Sequence, residues 1–566
     1  MSERVIIRSC DSSAGTTRRA FIGTGLAGGA ALMTGALSPL IDLTLSAAGS
    51  EPWLEASISE LQALMTAGEI TSRELTEGYL QRIGALNPIL GAVIETNPEA
   101  IAIAARRDNE RRGGQLRGPL HGIPILLKDN IGTADRMQTT AGSLALVNSS
   151  VPGDAPIVDR LRAGGAVILG KANLSEWANF RGIGSINGWS ARGAFTRDPY
   201  LLAFDPCGSS SGSAVAAAAN LCAAAVGTET DGSIVCPAGN NLIVGLKPSV
   251  GLLSQAGIIP IGHSQDTAGP MGRTVRDVAI LLGVMQTPFG RALGQPLPGS
   301  YTQFLQRGAL NGTRIGMDMR YFLPQYGAEP DLLAVVQQAL GVMTALGATL
   351  VPTDTGDPFT YFESEIVVLL YEFKAQIAEY LQTLQHTSMR TLADLIAFNI
   401  SHCPNEMKYF GQEIFELAQS TSGNLTDPFY VGARALSFNS AGPLGIDAAL
   451  QRDSLDAIVA PSYSFASSPA AVAGYPNISV PVGLTPQSRP AGIWMYSGFL
   501  QEPRLLAFAY DLEQALQPRR LPQLLGPVPA EPADAGICAT VPSSVPVFNG
   551  AAHLPHHIGT GKPFVR

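Results

Sequence analysis

Three short stretches carry side chains that can do chemistry together. In His121-Gly122-Ile123-Pro124-Ile125-Leu126-Leu127-Lys128-Asp129-Asn130, an apolar run ends on a lysine. Cys207-Gly208-Ser209-Ser210-Ser211-Gly212-Ser213 is rich in glycine and serine and passes directly into an alanine-rich run from Ala214. Gly227-Thr228-Glu229-Thr230-Asp231-Gly232-Ser233-Ile234 sets another serine behind a glycine. Serines with a lysine suit nucleophilic attack on a carbonyl. For an amide, such attack needs an activated nucleophile, a site for the oxyanion and a proton for the departing amine. Histidine is the commonest base for this work, and only His121 and His263 fall in this region. Neither has an acid nearby in sequence to orient it, and no G-x-S-x-G elbow is present. A Ser-His-Asp arrangement nevertheless stays open at this point. Lysine can replace histidine when burial lowers its pKa. Lys128 is so placed at the end of an apolar strand; taken alone, it fits a salt bridge to Asp129 or Asp154 at least as well.

The glycine- and serine-rich stretch resembles a linker in composition, but a linker does not run straight into Ala-Val-Ala-Ala-Ala-Ala. Gly208 and Gly212 instead fit a sharp loop that feeds a helix N-terminus. Asp231-Gly232-Ser233 has the composition of an ordinary turn. Its glycine also permits the close backbone approach that aims N–H groups at an oxyanion.

Taken in order, the three pieces resemble the amidase signature family, whose core is a Ser–cis-Ser–Lys triad in a G-G-S-S-G-G-S loop and a D-x-G-G-S-I segment. The resemblance implies, position by position, that Lys128 is the family lysine, Ser209 the cis-serine and Ser233 the nucleophile. It implies an oxyanion hole of backbone amides from Thr230 to Ser233, chiefly those of Thr230, Asp231 and Gly232. It implies a cis peptide between Gly208 and Ser209, and neither a metal nor an organic cofactor. In the implied mechanism a neutral Lys128 takes a proton from Ser209, which takes one from Ser233. Gly245-Leu246-Lys247-Pro248 and Gly269-Pro270-Met271 match further family segments. Ser175 to Gly182, Gly188 to Gly193, Ser264 to Met271, Leu369 to Lys374 and Ala473 to Pro476 are similar to the peptide-amidase branch of the family. That branch removes the C-terminal amide of peptides and spares internal bonds, which makes a small peptide amide the expected substrate. The alternative is a family hydrolase of small aryl or aliphatic amides. The resemblance runs from about residue 57 to 516. Departures from the wider family are Cys207 and Ser211 for glycines, Glu229 for Asp, Asp231 for Gly and Val235 for Arg. An aspartate beside the oxyanion site would oppose negative charge, so the Asp231 side chain is expected to point away.

The elements that must position these residues are legible in outline. The chain has 566 residues, 46% hydrophobic and 15% charged, with formal charge -9. Charged residues are fewer than the ~25% of an average domain. No Lys/Arg-rich block argues for nucleic acid, because Arg106, Arg107, Arg111 and Arg112 are interleaved with Asp108 and Glu110 and read as a solvated helix face. Thr17-Arg18-Arg19-Ala20-Phe21-Ile22 leads into a Gly/Ala-rich apolar stretch, with Ser46-Ala47-Ala48 as small residues for cleavage. Residues 1–48 therefore read as a twin-arginine export signal. This makes the export machinery a transient partner, the mature enzyme periplasmic or secreted, and stable membrane insertion after cleavage unexpected. Residues 49–518 read as the catalytic domain, with core motifs at about 120–280 and a helix-rich insertion at about 357–437. Residues 519–566 read as a Pro/Gly-rich tail draped over the surface. The six cysteines form no C-x-x-C pair and read as free buried thiols more readily than as disulfides. Capping boxes at Ser57 and Thr71 start two helices, the second ending at Pro88. A third helix spans about 99–112, and Ala214 to Ala225 reads as a helix of small residues. Short apolar strands alternate with these helices, so the expected fold is α/β, a mixed central sheet with helices on both faces.

Overall fold

The central strands show no polar alternation. Pro124–Lys128, Val167–Ala172, Ala224–Glu229 and Thr267–Gly272 bury every residue, which requires cover on both faces. The computed structural model describes residues 51–286 and 297–539; the segment expected to direct export, Cys10 and the end of the tail lie outside the described residues. The strands are β1 (Val93–Thr96), β2 (Pro124–Lys128), β3 (Val167–Ala172), β4 (Trp189–Ser190), β5 (Ala194–Phe195), β6 (Ala224–Glu229), β7 (Val244–Lys247), β8 (Thr267–Gly272), β9 (Arg314–Asp318), β10 (Thr349–Thr353), β11 (Ala457–Pro461), β12 (Asn477–Leu484) and β13 (Pro490–Tyr496). β4 and β5 form a separate small hairpin. The rest make one 11-stranded sheet in the order β1-β3-β2-β6-β8-β7-β12-β13-β11-β9-β10. Pairing is parallel for β3 with β2, β2 with β6, β11 with β9 and β9 with β10. It is antiparallel elsewhere. The expected mixed α/β sheet is therefore present.

The parallel trio β3-β2-β6 places the chemistry. Lys128 ends β2, and Glu229 ends its neighbour β6, where Leu127 pairs with Val226. The chain leaves β3 at the same carboxyl edge, loops to Ser210, then returns through the helix Ser211–Ala218 to start β6. Lys128, Ser209 and the turn after Glu229 are thus gathered at one edge, where open α/β sheets bind ligands. A second apolar cluster supports this edge from the side. It packs Ile366, Leu370 and Phe373 of the long helix Phe362–Thr383 against Leu174, Trp177 and Phe180.

Several local expectations need correction. The helix Ser72–Leu90 runs through Pro88 and stops at Gly91, which is left-handed. Pro88 is in the last turn, and Gly84, whose carbonyl loses its donor, is exposed to water. The alanine-rich run is divided: the helix ends at Ala218, Asn220 turns with positive φ, and Ala224 begins β6. Helix propensity is worth a few tenths of a kcal/mol per residue, and pairing on both edges of β6 outweighs it. The short helix Val235–Asn240, with Pro237 and Gly239 inside it, has no sequence signal. The arginine-rich helix Ala100–Arg112 is not merely solvated. Arg107 and Asp108 are buried, and Asp108 accepts the amides of Ser72 and Arg73 at the start of the preceding helix. Four cysteines are disulfide-bonded, Cys207–Cys236 and Cys403–Cys538, and Cys222 alone is a free buried thiol among the described residues. Large sequence separations concealed both pairings. The described part of the tail lies against the body: Leu524 and Leu525 donate to the carbonyls of Pro199 and Tyr200, and Ala535 to that of Lys408.

Glu55, near the start of the described residues, also meets Arg519, which follows the last long helix. Arg519 donates to both carboxylate oxygens of Glu55, at 2.9 and 2.7 Å, and to the carbonyl of Ala218. The Glu55 amide donates to Asn220 Oδ1 at 3.0 Å.

Gly212 measures how closely the serine-loop helix approaches the sheet. A Cβ there would lie 2.4 Å from the carbonyl oxygens of both Ala92 and Asn173. Gly212→Ala should lower stability by ~1–3 kcal/mol or more, read as a lower urea midpoint. A midpoint equal to that of the unmodified chain would contradict this packing.

Candidate active site

Lys128 closes β2 with its side chain fully buried. Its Nζ lies 2.7 Å from Ser209 Oγ, 3.0 Å from the Thr228 carbonyl and 2.9 Å from Thr228 Oγ1. Asn130 Nδ2 donates to the same Thr228 Oγ1 at 2.9 Å. Among the described residues no carboxylate pairs with the lysine. Asp129 is held by Arg192, Thr140 and the Gly142 amide, and Asp154 pairs with Arg162. The salt-bridge role is therefore absent. Burial pushes Lys128 down to about 7, against the pull of Glu229 and Asp266. A neutral amine has two hydrogens and one lone pair. When both hydrogens go to Thr228, the lone pair is left facing Ser209 Oγ–H, the orientation a base requires.

Ser209 follows a cis peptide with Gly208. A Cβ on Gly208 would lie 2.2 Å from Ser175 Oγ and 2.7 Å from Asn187 Oδ1, so a larger residue would have to displace both side chains. The Ser209 carbonyl accepts the Ser175 amide at 3.0 Å. The Ser210 amide donates to the Ser233 carbonyl at 3.1 Å, which joins the two serine segments. Ser210 Oγ donates to the Thr228 carbonyl at 3.0 Å.

Ser233 sits on the turn after β6, and Glu229 shapes that turn. Its carboxylate accepts the amides of Gly232 at 3.0 Å, Ile234 at 2.6 Å and Val235 at 2.9 Å. It thereby caps the short helix Val235–Asn240. The Gly232 amide, one of the expected oxyanion donors, is bonded to Glu229 here. The amides of Thr230, Asp231 and Ser233 have no acceptor among the described residues, so those three are the donors left for an oxyanion. Nothing in the sequence showed which amides the carboxylate would gather.

The Asp231 side chain is buried beside Glu365; burial first and Glu365 next hold its pKa well above the usual carboxylate range. Gln265 Nε2 donates to Glu365 Oε1 at 3.0 Å, and Thr230 Oγ1 donates to Asp266 Oδ1 at 2.5 Å. Burial raises Asp266 to about 7. Neither histidine is a partner of the serines. His121 Nε2 meets the Arg107 carbonyl at 2.9 Å. His263 lines a small cavity with Asn130, Thr228, Thr230 and Asp266, of about 20 Å³. Thr228, Asn130 and Asp266 are the parts of the site that residue types alone did not single out. Thr228 and Asn130 lie inside the motifs, so position within a motif was the available signal.

The comparisons with known proteins agree with this geometry. A protein-family model described as Amidase matches residues 74–506. The X-ray structure of native peptide amidase from Stenotrophomonas maltophilia is 48% identical, covers 84% of this chain and 99% of that chain, and superposes with a TM-score of 0.77. A probable amidase of Arabidopsis thaliana is 41% identical over 482 residues, 83% of this chain and 92% of the relative. A putative amidase of Schizosaccharomyces pombe is 38% identical over 508 residues, 83% of this chain and 86% of the relative. With the family match spanning most of its length and its strands and serine loops arranged as described, the chain belongs to the amidase signature family of hydrolases.

Proposed function

We propose that the protein hydrolyses the C-terminal carboxamide of peptides to the free acid and ammonia, through an acyl-enzyme on Ser233. The observation that carries this reading is the buried Lys128 amine 2.7 Å from Ser209 Oγ, with the Ser233 turn bonded to the neighbouring Ser210. Lys128 accepts the Ser209 proton as Ser209 accepts that of Ser233, and Ser233 Oγ bonds to the carboxamide carbon. The amides of Thr230, Asp231 and Ser233 hold the oxyanion. As the C–N bond breaks, the proton returns through Ser209 to the nitrogen, which leaves as ammonia. Water then attacks the acyl carbon by the same relay and frees Ser233.

Two features support a terminal amide as the substrate. The segments from Ser175 to Gly193 and from Thr228 to Ala238 are similar to those of peptide amidases, and the overall likeness to one such enzyme is high. Export by the twin-arginine route belongs to the same reading, on the strength of Arg18-Arg19 ahead of a weakly apolar run. Two disulfides suit an oxidising compartment.

The matched test uses a peptide ending in carboxamide and the same peptide extended by one residue with a free carboxylate. Mass spectrometry should show conversion of the amide to the acid, about 1 Da heavier, and no cleavage of the extended peptide; Ser233→Ala should do neither. Comparable cleavage of the extended peptide, or a preference for acetamide, would count against a peptide amidase. Lys128 is a base only when neutral, so kcat/KM should fall as pH drops through about 7 and level off above it. Lys128→Ala should lose roughly 10²–10⁴-fold with the circular dichroism unchanged; a flat profile from mildly acidic to alkaline pH argues against this role. Replacing Arg18 and Arg19 with lysine should hold the precursor in the cytoplasm, and normal periplasmic recovery of that variant excludes the twin-arginine route.

A further inference from the structure

The two serine segments lie at opposite ends of one covalent ring. Cys207 and Cys236 are 29 positions apart and disulfide-bonded, with Cα atoms 5.9 Å apart. Ser209 stands two residues inside one end of the ring, and Ser233 three residues inside the other. Between them the ring encloses the helix Ser211–Ala218 and β6. Further ties run the same way as the bridge. Asn240 Nδ2 donates to the Asp205 carbonyl and Asn241 Nδ2 to the Pro206 carbonyl, each at 2.9 Å. The Cys236 amide donates to the Gly232 carbonyl at 2.8 Å, and the Cys207 amide to Asp205 Oδ1 at 2.7 Å. The short helix after Ser233 therefore grips the residues just before Gly208. On the reacting side, the join is the weaker backbone hydrogen bond from Ser210 to Ser233.

A relay of two hydroxyls depends on their separation. Proton transfer needs heavy atoms within ~2.6–3.2 Å, and a misplacement of about 1 Å can cost ~10²-fold in rate. We propose that the Cys207–Cys236 disulfide is a positioning element for the serine pair: it holds Ser209 and Ser233 in register, and full turnover depends on it. This rests on the serine-relay reading above. Cys403–Cys538, which ties the helix-rich segment to the tail, lies outside the ring and serves as an internal control. Forming the bridge takes two electrons and two protons from the two thiols, passed to a disulfide oxidant that is itself reduced to a dithiol. A chain that folds in the reducing cytoplasm before export would thus reach its full rate in an oxidising compartment.

The test compares the unmodified protein with Cys207→Ala/Cys236→Ala and with Cys403→Ala/Cys538→Ala. Readouts are kcat and KM for an amidated peptide, the rate at which a phosphonyl fluoride labels Ser233, and near-UV circular dichroism. The first double variant should lose at least about tenfold in kcat, keep KM near that of the unmodified protein, label more slowly in step with kcat and retain its circular dichroism. The second should keep its kcat. A kcat within about twofold of the unmodified protein in the first variant overturns the proposal, as does an equal loss in the second. So does a loss accompanied by collapse of the near-UV signal, which would make the bridge a general stabiliser. If the unmodified protein is labelled at Ser233 but releases no ammonia from the peptide, the peptide-amide reading fails separately, and labelling rates alone decide the role of the bridge.

Discussion

A lysine amine sealed from water is the constraint on which the site depends. A fall in pKa from 10.5 to about 7 corresponds to roughly 5 kcal/mol in favour of the neutral form. The fold has to supply that environment and still give the nitrogen partners. It does so by ending β2 at Lys128 between two buried strands, and by turning the carbonyl and hydroxyl of Thr228 toward it. Lys171 and Lys247 are also fully buried and are lowered to about 8. Lys171 donates to the Ile131 carbonyl and Thr139 Oγ1, and Lys247 to the Pro248 carbonyl. Only Lys128 among the three meets a serine that borders the Glu229-capped turn.

The acids around this edge are handled by the same physics. Glu229, Asp231, Glu365 and Asp266 are all buried, and burial raises each of them. Glu229 is compensated by three amides and by Lys247, so its role is to set the turn. Asp231 has little compensation, and burial with Glu365 beside it holds its pKa well above the usual carboxylate range. One carboxyl group organises the amides around the nucleophile, while burial disfavours charge on the next.

What could be read from the sequence follows from the range of the forces involved. Lys128, Ser209 and Ser233 stand in local motifs whose glycines and apolar flanks reflect tight turns and a buried strand, and the structure brings all three segments to one sheet edge. Helix caps at Ser57 and Thr71 were legible because a capping box is a four-residue interaction. Interactions that close over long separations were not. Cys403 and Cys538 are 135 positions apart, and no local signal pairs them. The division of the alanine-rich run depends on β2 and β8 lying on either side of Ala224–Glu229, which tertiary structure decides. That Glu229 takes the Gly232 amide was not legible, because a carboxylate three residues earlier can cap a turn in several ways, and side-chain direction selects among them.

The contact of Glu55 with Arg519, beside the end of the serine-loop helix, makes the catalytic body close on itself like a clasped belt. Glu55 and Arg519 are neighbours, so the stretch between them has no privileged starting point. Joining them with a short linker and opening the chain at an exposed surface turn would change the order of synthesis while preserving the neighbourhood of every strand. In such a rearranged gene the lysine could be translated after both serines, and the same edge of the sheet would still bring them together. Reading order along the polypeptide is thus incidental to this chemistry; adjacency in the sheet is what the fold conserves.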